Sequence, residues 1–208
     1  SDYPAESLHE TIPNFHNTVD RLAKIKKAVE ADYGMELDVH VTKDGVPVLF
    51  HDFTLERMCG VKGVIEEYTY DELQKLTLCG SGERIPRLKE LLNMVQGRVP
   101  LIVEIKSEKV DVSCCKAIDR LLRDYDGEYC IESFNPMVLW WYRLHHKAVV
   151  RGQLSSNFRI DGGYRNIVYF FMTHLMLNFF TQPDFIAYNH AFKEEPGRRI
   201  CRHFFRNP

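Results

Sequence analysis

Glu36 and Asp38 stand two apart in Met35-Glu36-Leu37-Asp38-Val39, and His51 follows in Val48-Leu49-Phe50-His51-Asp52 after a Lys43-Asp44-Gly45 turn. In a strand, residues two apart project to one face, so the two carboxylates lie side by side. Adjacent carboxylates repel, and they are stable there when one holds a proton or a cation sits between them. A solvated surface strand is the simpler account of such a pair. The flanking Met35, Leu37, Val39, Val41, Val48, Leu49 and Phe50 argue against it, because they mark strands buried on both faces, where an unpaired acid is costly. Further along, Glu104 and Lys106 close the apolar run from Pro100 to Ile105. Glu132 closes another run, where it either contacts a substrate or caps the following helix, and Gln153 lies at the end of a third, where position alone would let it line a pocket.

The elements that must position these groups alternate. Apolar residues Val19, Leu22, Ala23, Ile25, Ala28 and Val29 predict a helix from about Asn17 or Thr18 to Asp32, with Gly34 as its stop. Strands are expected over 35–41, 47–51, 100–105, 128–132, 148–154 and 184–188, with 53–68 as a loop. Helices are expected over 71–76, 87–95, 112–123 and 136–145, then over an apolar stretch 164–180 and a last stretch 197–205. Strand and helix in alternation predict an α/β fold with a mainly parallel sheet. The ionisable residues fall at the C-terminal ends of successive strands, where an eight-stranded (β/α)8 barrel of the TIM type builds its active site. An open doubly wound sheet gathers its ligands at one crossover point instead.

At 208 residues with 45% hydrophobic content and no linker or repeat, the chain is expected to form a single domain over 1–208, with 1–18 an irregular N-terminal segment. A formal charge of -2 gives no general attraction to nucleic acid or to an anionic membrane, so neither is implied as a partner. The six cysteines include no Cys-x-x-Cys pair and are read as reduced thiols of a cytoplasmic protein. The longest apolar run, Ile167 to Phe180, is short of a bilayer span and is broken by His174 and Asn178, so a buried helix is expected and no transmembrane segment. Trp140 and Trp141 are read as packing residues, and Arg198, Arg199, Arg202 and Arg206 as a solvated helix face. Both ends, Ser1 and Pro208, read as cut.

On Gly34-Met35-Glu36-Leu37-Asp38-Val39, Thr42-Lys43-Asp44-Gly45, Val48-Leu49-Phe50-His51-Asp52, Leu55-Glu56-Arg57, Ile85-Pro86, Val103-Glu104-Ile105-Lys106 and Glu132-Ser133-Phe134-Asn135-Pro136, the chain resembles the glycerophosphodiester phosphodiesterases from about Tyr33 onward. The resemblance implies a barrel in which Glu36, Asp38 and Glu104 bind a divalent cation, calcium or magnesium. It implies an acid/base role for His51 and phosphate binding by Lys106. The reaction implied is hydrolysis of a small-molecule glycerophosphodiester to glycerol 3-phosphate and an alcohol. The physics agrees: a phosphodiester repels nucleophiles until a metal and a lysine offset its charge, and histidine moves protons near neutral pH.

The chain departs from the family pattern in having no His-Arg-Gly triplet, which supplies a second histidine and an arginine. Tyr3-Pro4-Ala5-Glu6-Ser7-Leu8 resembles the segment that follows it, which places the first strand upstream of Ser1. Another alignment puts His9 or His16 near the missing histidine, although a solvated loop histidine accounts better for both. No Trp-Thr-Val strand follows, so the expected barrel is incomplete, lacking its first and last strands, and its open edges predict self-association. Two further readings follow: a remnant that binds metal or phosphate without turnover, and a phospholipase C- or D-like lipid phosphodiesterase.

Overall fold

A computed structural model describes residues 21–156 and 177–188. The segment 1–18, His9, His16, most of the apolar stretch 164–180 and the basic stretch 197–205 lie outside the described residues. The backbone gathers into two compact units, Ser1–Glu104 with Lys116–Tyr129, and Ile105–Cys115 with Cys130–Pro208.

In the first unit, helix α1 (Arg21–Glu30) buries Ile25, Ala28 and Val29, which share one face at helical spacing, and it packs on α4 (Leu88–Val95). Gly34 is not its stop. The left-handed residue is Asp32, with φ 56°, and the Tyr33 N–H closes on the Ala28 carbonyl at 3.0 Å. Gly34 serves a close approach instead: a Cβ there would stand 3.3 Å from Pro100 Cγ, just before β3 (Leu101–Ile105).

Strand β1 (Met35–Val41) lies between β3 and β2 (Pro47–Leu49), and β2 runs antiparallel to it in the register Val39–Leu49, His40–Val48, Val41–Pro47. The antiparallel pairing follows from the turn, because a connection as tight as Thr42–Gly45 can only join antiparallel neighbours, and β2 ends at Leu49 rather than at His51. The turn is built from side chains. Thr42 Oγ1 donates to Asp44 Oδ1 at 2.6 Å and accepts from the Val46 N–H at 2.9 Å, while Gly45 takes φ 82°. Asp44 also accepts from the Tyr70 N–H at 2.9 Å, tying the hairpin to the first turn of α3 (Tyr70–Leu73).

The region expected as a loop from Phe53 to Tyr68 holds α2 (Glu56–Cys59) and a 3-10 turn (Ile65–Glu67). Leu55, Met58 and Ile65 are buried with Val48, Phe50, Leu73, Leu78 and Ile85 in a core of their own. Burying side chains of this size stabilises by roughly 2 kcal/mol each, which offsets the ordering of so many turns. Helix α4 starts after Arg87, whose N–H donates to Glu90 at 3.0 Å, and it buries Leu88, Leu91, Leu92 and Val95. Helix α5 (Cys114–Arg123) buries Ile118 and Leu122.

The second unit holds β4 (Tyr129–Ser133), α6 (Pro136–His145), β5 (Val150–Ser155), α7 (Asn178–Thr181) and β6 (Phe185–Tyr188). Both of its strand pairings, β4 with β5 and β5 with β6, are parallel, as expected of an α/β fold with a mainly parallel sheet. Only the end of the stretch expected as a buried helix over 164–180 lies among the described residues, and there two phenylalanines are exposed. In α7 the residues three apart, Asn178 and Thr181, face inward, leaving Phe179 and Phe180 at 66% and 57% exposure.

Candidate active site

Glu36, Asp38 and His40 occupy alternate positions of β1 and therefore one face of it. Asp38 is 8% exposed, and on the neighbouring strand β3 Glu104 is 5% exposed. His40 was not singled out from the sequence, although the Glu-x-Asp-x-His alternation signals it. Its ring is fully buried edge-on to Phe50 and Phe53, and Nδ1 lies 3.4 Å from Glu66 Oε1.

The hairpin returns His51 to this region. The register of β1 and β2 is continued by the Phe50 N–H, which donates to the Asp38 carbonyl at 3.0 Å. His51, the next residue, lies two positions past the end of β2 and at the level of Leu37, between Glu36 and Asp38 along β1.

A relay orients the imidazole. His51 Nδ1 lies 2.8 Å from Asp52 Oδ1, and the Arg57 guanidinium grips the same carboxylate with Nε at 2.6 Å from Oδ2 and Nη2 at 2.7 Å from Oδ1. Arg57 is held by its place on α2, two residues after Leu55, whose N–H donates to the Gly63 carbonyl. Two donors on one carboxylate favour its charged form: the Arg57 hydrogen bond chiefly, and the His51 bond after it, hold Asp52 below the usual carboxylate range against the opposing effect of burial. An ionised Asp52 accepts from Nδ1–H and so fixes the tautomer that presents Nε2 for proton transfer. Asp52 and Arg57 belong to the motifs that carry the resemblance, yet the sequence alone assigns them no role.

In the second unit, Lys106, Glu132 and Gln153 are all buried. Ser133 stands opposite Gln153 in the parallel register and Glu132 opposite Gly152, so Glu132 and Gln153 project from opposite faces of the strand pair. The Gln153 amide is a tie: Nε2 donates to the carbonyls of Ser133, Phe134 and Leu154 at 3.1, 3.2 and 2.8 Å. Ser133 Oγ donates to the Ile105 carbonyl at 2.7 Å and accepts from the Asn135 N–H at 3.1 Å. Asn135 caps α6 through the Met137 N–H at 2.9 Å, and its Nδ2 donates to the carbonyls of Ser107 and Lys109 at 3.0 and 2.8 Å. The loop that follows Lys106 is thus held by the residue that starts α6.

Among the described residues no three His, Cys, Asp or Glu side chains converge as a metal site. By donor chemistry, however, Glu36, Asp38 and Glu104 fit calcium or magnesium. All three offer carboxylate oxygens, which suit hard cations, and two of them are withdrawn from solvent, where a cation offsets the cost of burying their charge.

The model of the glycerophosphoryl diester phosphodiesterase family matches residues 11–196. A glycerophosphodiester phosphodiesterase of Caldanaerobacter subterraneus is 35% identical over 129 residues, 55% of this chain and 51% of that protein, so the chain spans about half the length of that relative. Among solved structures, a glycerophosphodiester phosphodiesterase from Thermotoga maritima is 26% identical with a TM-score of 0.59, covering 89% of this chain and 74% of that one. An Oleispira antarctica phosphodiesterase, solved in complex with the product sn-glycerol-3-phosphate, shares the fold at 22% identity and a TM-score of 0.66, covering 82% and 69%.

Proposed function

Because the chain belongs to the glycerophosphoryl diester phosphodiesterase family, we propose that it is a metal-dependent hydrolase that converts glycerophosphodiesters to sn-glycerol 3-phosphate and an alcohol. The observation that supports this most is the Arg57–Asp52–His51 relay. His51, oriented through Nδ1, passes a proton at Nε2, from the attacking hydroxyl or to the leaving alkoxide. Lys106 offsets the charge of the phosphate, and Glu132 contacts the substrate. Gln153, the remaining substrate-binding candidate, serves by holding the end of β4. Glu36, Asp38 and Glu104 would hold calcium or magnesium, whose charge offsets the anionic phosphodiester as negative charge shifts during the reaction. By the same membership we propose the (β/α)8 barrel for the family protein, with its first and last strands outside those described here. Self-association through open strand edges completes the reading; a sharp monomer mass in light scattering at micromolar concentration would remove that part of it.

The test is release of glycerol 3-phosphate from glycerophosphocholine by the purified protein with calcium or magnesium. No release, or full activity after Glu36→Ala, refutes the proposal. The missing His-Arg-Gly triplet favours a second reading, in which the chain binds metal or phosphate without turnover. Calorimetry that detects calcium binding by a protein with no turnover would select it.

A further inference from the structure

We propose that the surface formed by α6 and α7 docks onto an anionic lipid bilayer. This goes beyond the proposed hydrolysis and does not depend on it. The two helices pack together, and Arg143 on α6 donates through Nη1 to the Phe180 carbonyl on α7. That contact joins α7, with the exposed Phe179 and Phe180, to the Arg143 edge of α6, whose solvent side carries the exposed Leu144 and the half-buried Trp140 and Trp141. The phenyl rings stand at right angles with centroids 5.4 Å apart, both largely in solvent. Surface apolar side chains are ordinary when scattered, but clustered ones mark a surface that meets another phase or partner.

Charge identifies the occupant. Arg143 lies over the Trp140 ring at 5.5 Å, and the Trp141 ring stacks on His145 at 4.4 Å. His146 and the exposed Lys147 follow, and from Ser133 to Val150 there is no Asp or Glu. Tryptophan and phenylalanine with arginine and lysine around them suit the boundary between acyl chains and anionic headgroups, where an aromatic body inserts and a cation stays at headgroup level. None of the described helices is long and apolar enough to cross a membrane, so the contact proposed is with the bilayer surface.

The experiment is co-sedimentation of the full chain with phosphatidylcholine vesicles, with and without about 30% phosphatidylserine. Stronger partition onto the anionic vesicles is expected. The Phe179→Ser/Phe180→Ser double variant should lower it about tenfold. Lys147→Gln, at an exposed position that folding tolerates, should lower it about fivefold, and added salt should act in the same direction. Val110→Ser, which removes an exposed apolar residue elsewhere, should leave partition unchanged. Failure to bind anionic vesicles overturns the proposal. So does equal binding to neutral vesicles, or binding that survives Lys147→Gln and high salt undiminished. If the phenylalanine variant instead turns an oligomer into a monomer while vesicles capture neither form, a second copy covers this face and the proposal fails. Hydrolysis of soluble glycerophosphocholine without vesicles reads catalysis separately.

Discussion

Asp52 binds two residues at once through Oδ1: His51 Nδ1 at 2.8 Å and Arg57 Nη2 at 2.7 Å. The shared oxygen links the imidazole to a fixed cation, so the guanidinium acts on the ring through the carboxylate. Asp52→Asn keeps the shape but removes the charge, and an amide can turn its NH2 toward Nδ1 and select the wrong tautomer. Hydrolysis is expected to fall by roughly a hundredfold or more in kcat with little change in KM. Arg57→Lys should lose about tenfold, because one point charge replaces a bidentate grip. The double variant should be scarcely worse than Asp52→Asn alone, since both act through the same carboxylate. Wild-type levels of kcat in Asp52→Asn would remove the relay from the mechanism.

The same pair carries a pH dependence of stability. Asp52 is held below the usual carboxylate range in the folded chain, so its contribution is fully present above that range and is lost as pH falls through the depressed folded value. Acid melting curves of wild type and Asp52→Asn should therefore differ above about pH 4 and converge below it. Curves that stay equally far apart at every pH would assign the difference to packing instead.

Asp38 and Glu104 are both buried acids of the first unit, and their donor set fits a hard cation. Calcium that binds only the folded state stabilises it by about 2.7 kcal/mol at a hundredfold excess over Kd. Thermal denaturation should show that rise in the wild type and lose it in Asp38→Asn. A calcium-dependent rise that survives Asp38→Asn would place the cation elsewhere.

How much of this was legible in the sequence depends on the range of the interaction. Strands announce themselves by alternation and by turn residues, so β1, β3, β4 and the hairpin fall within a residue or two of expectation. The Arg57 contact was not legible, because a four-residue helix leaves no periodic trace and the pairing depends on how α2 rests on Leu55 and Met58. Gly34 misled, since glycine signals both a helix stop and a close backbone approach, and only the position of Pro100 decides between them. Phe179 and Phe180 misled for the opposite reason. Hydropathy alone argues for burial, whereas the three-residue spacing of Asn178 and Thr181 puts those polar residues on the inner face.

Asn135 joins two elements that sequence treats separately, the α6 start and the loop behind Lys106. Asn135→Ala removes one cap bond and two carbonyl partners, and should destabilise by about 1–3 kcal/mol. If the loop positions Lys106, KM for glycerophosphocholine should rise as well. Asn135→Asp keeps the cap but not the two donors, so it should restore part of the stability and none of the KM. Equal recovery of both would show that the cap alone matters.

Gly152 tests the register beneath Gln153. It stands opposite Phe185 in the parallel β5–β6 pairing, and a Cβ on it would meet Phe185 Cζ at 2.2 Å, so the ring lies across the space a side chain would fill. Gly152→Ala must push the ring aside or spread the two strands, and overpacking of this kind costs about 1–3 kcal/mol. Phe185→Leu alone should also destabilise, because it leaves Gly152 uncovered. The double variant should recover much of the loss, since a shorter side chain makes room for the methyl group. Denaturant melts of the four proteins give the coupling directly, and additive losses would mean that the ring and the glycine do not share that space.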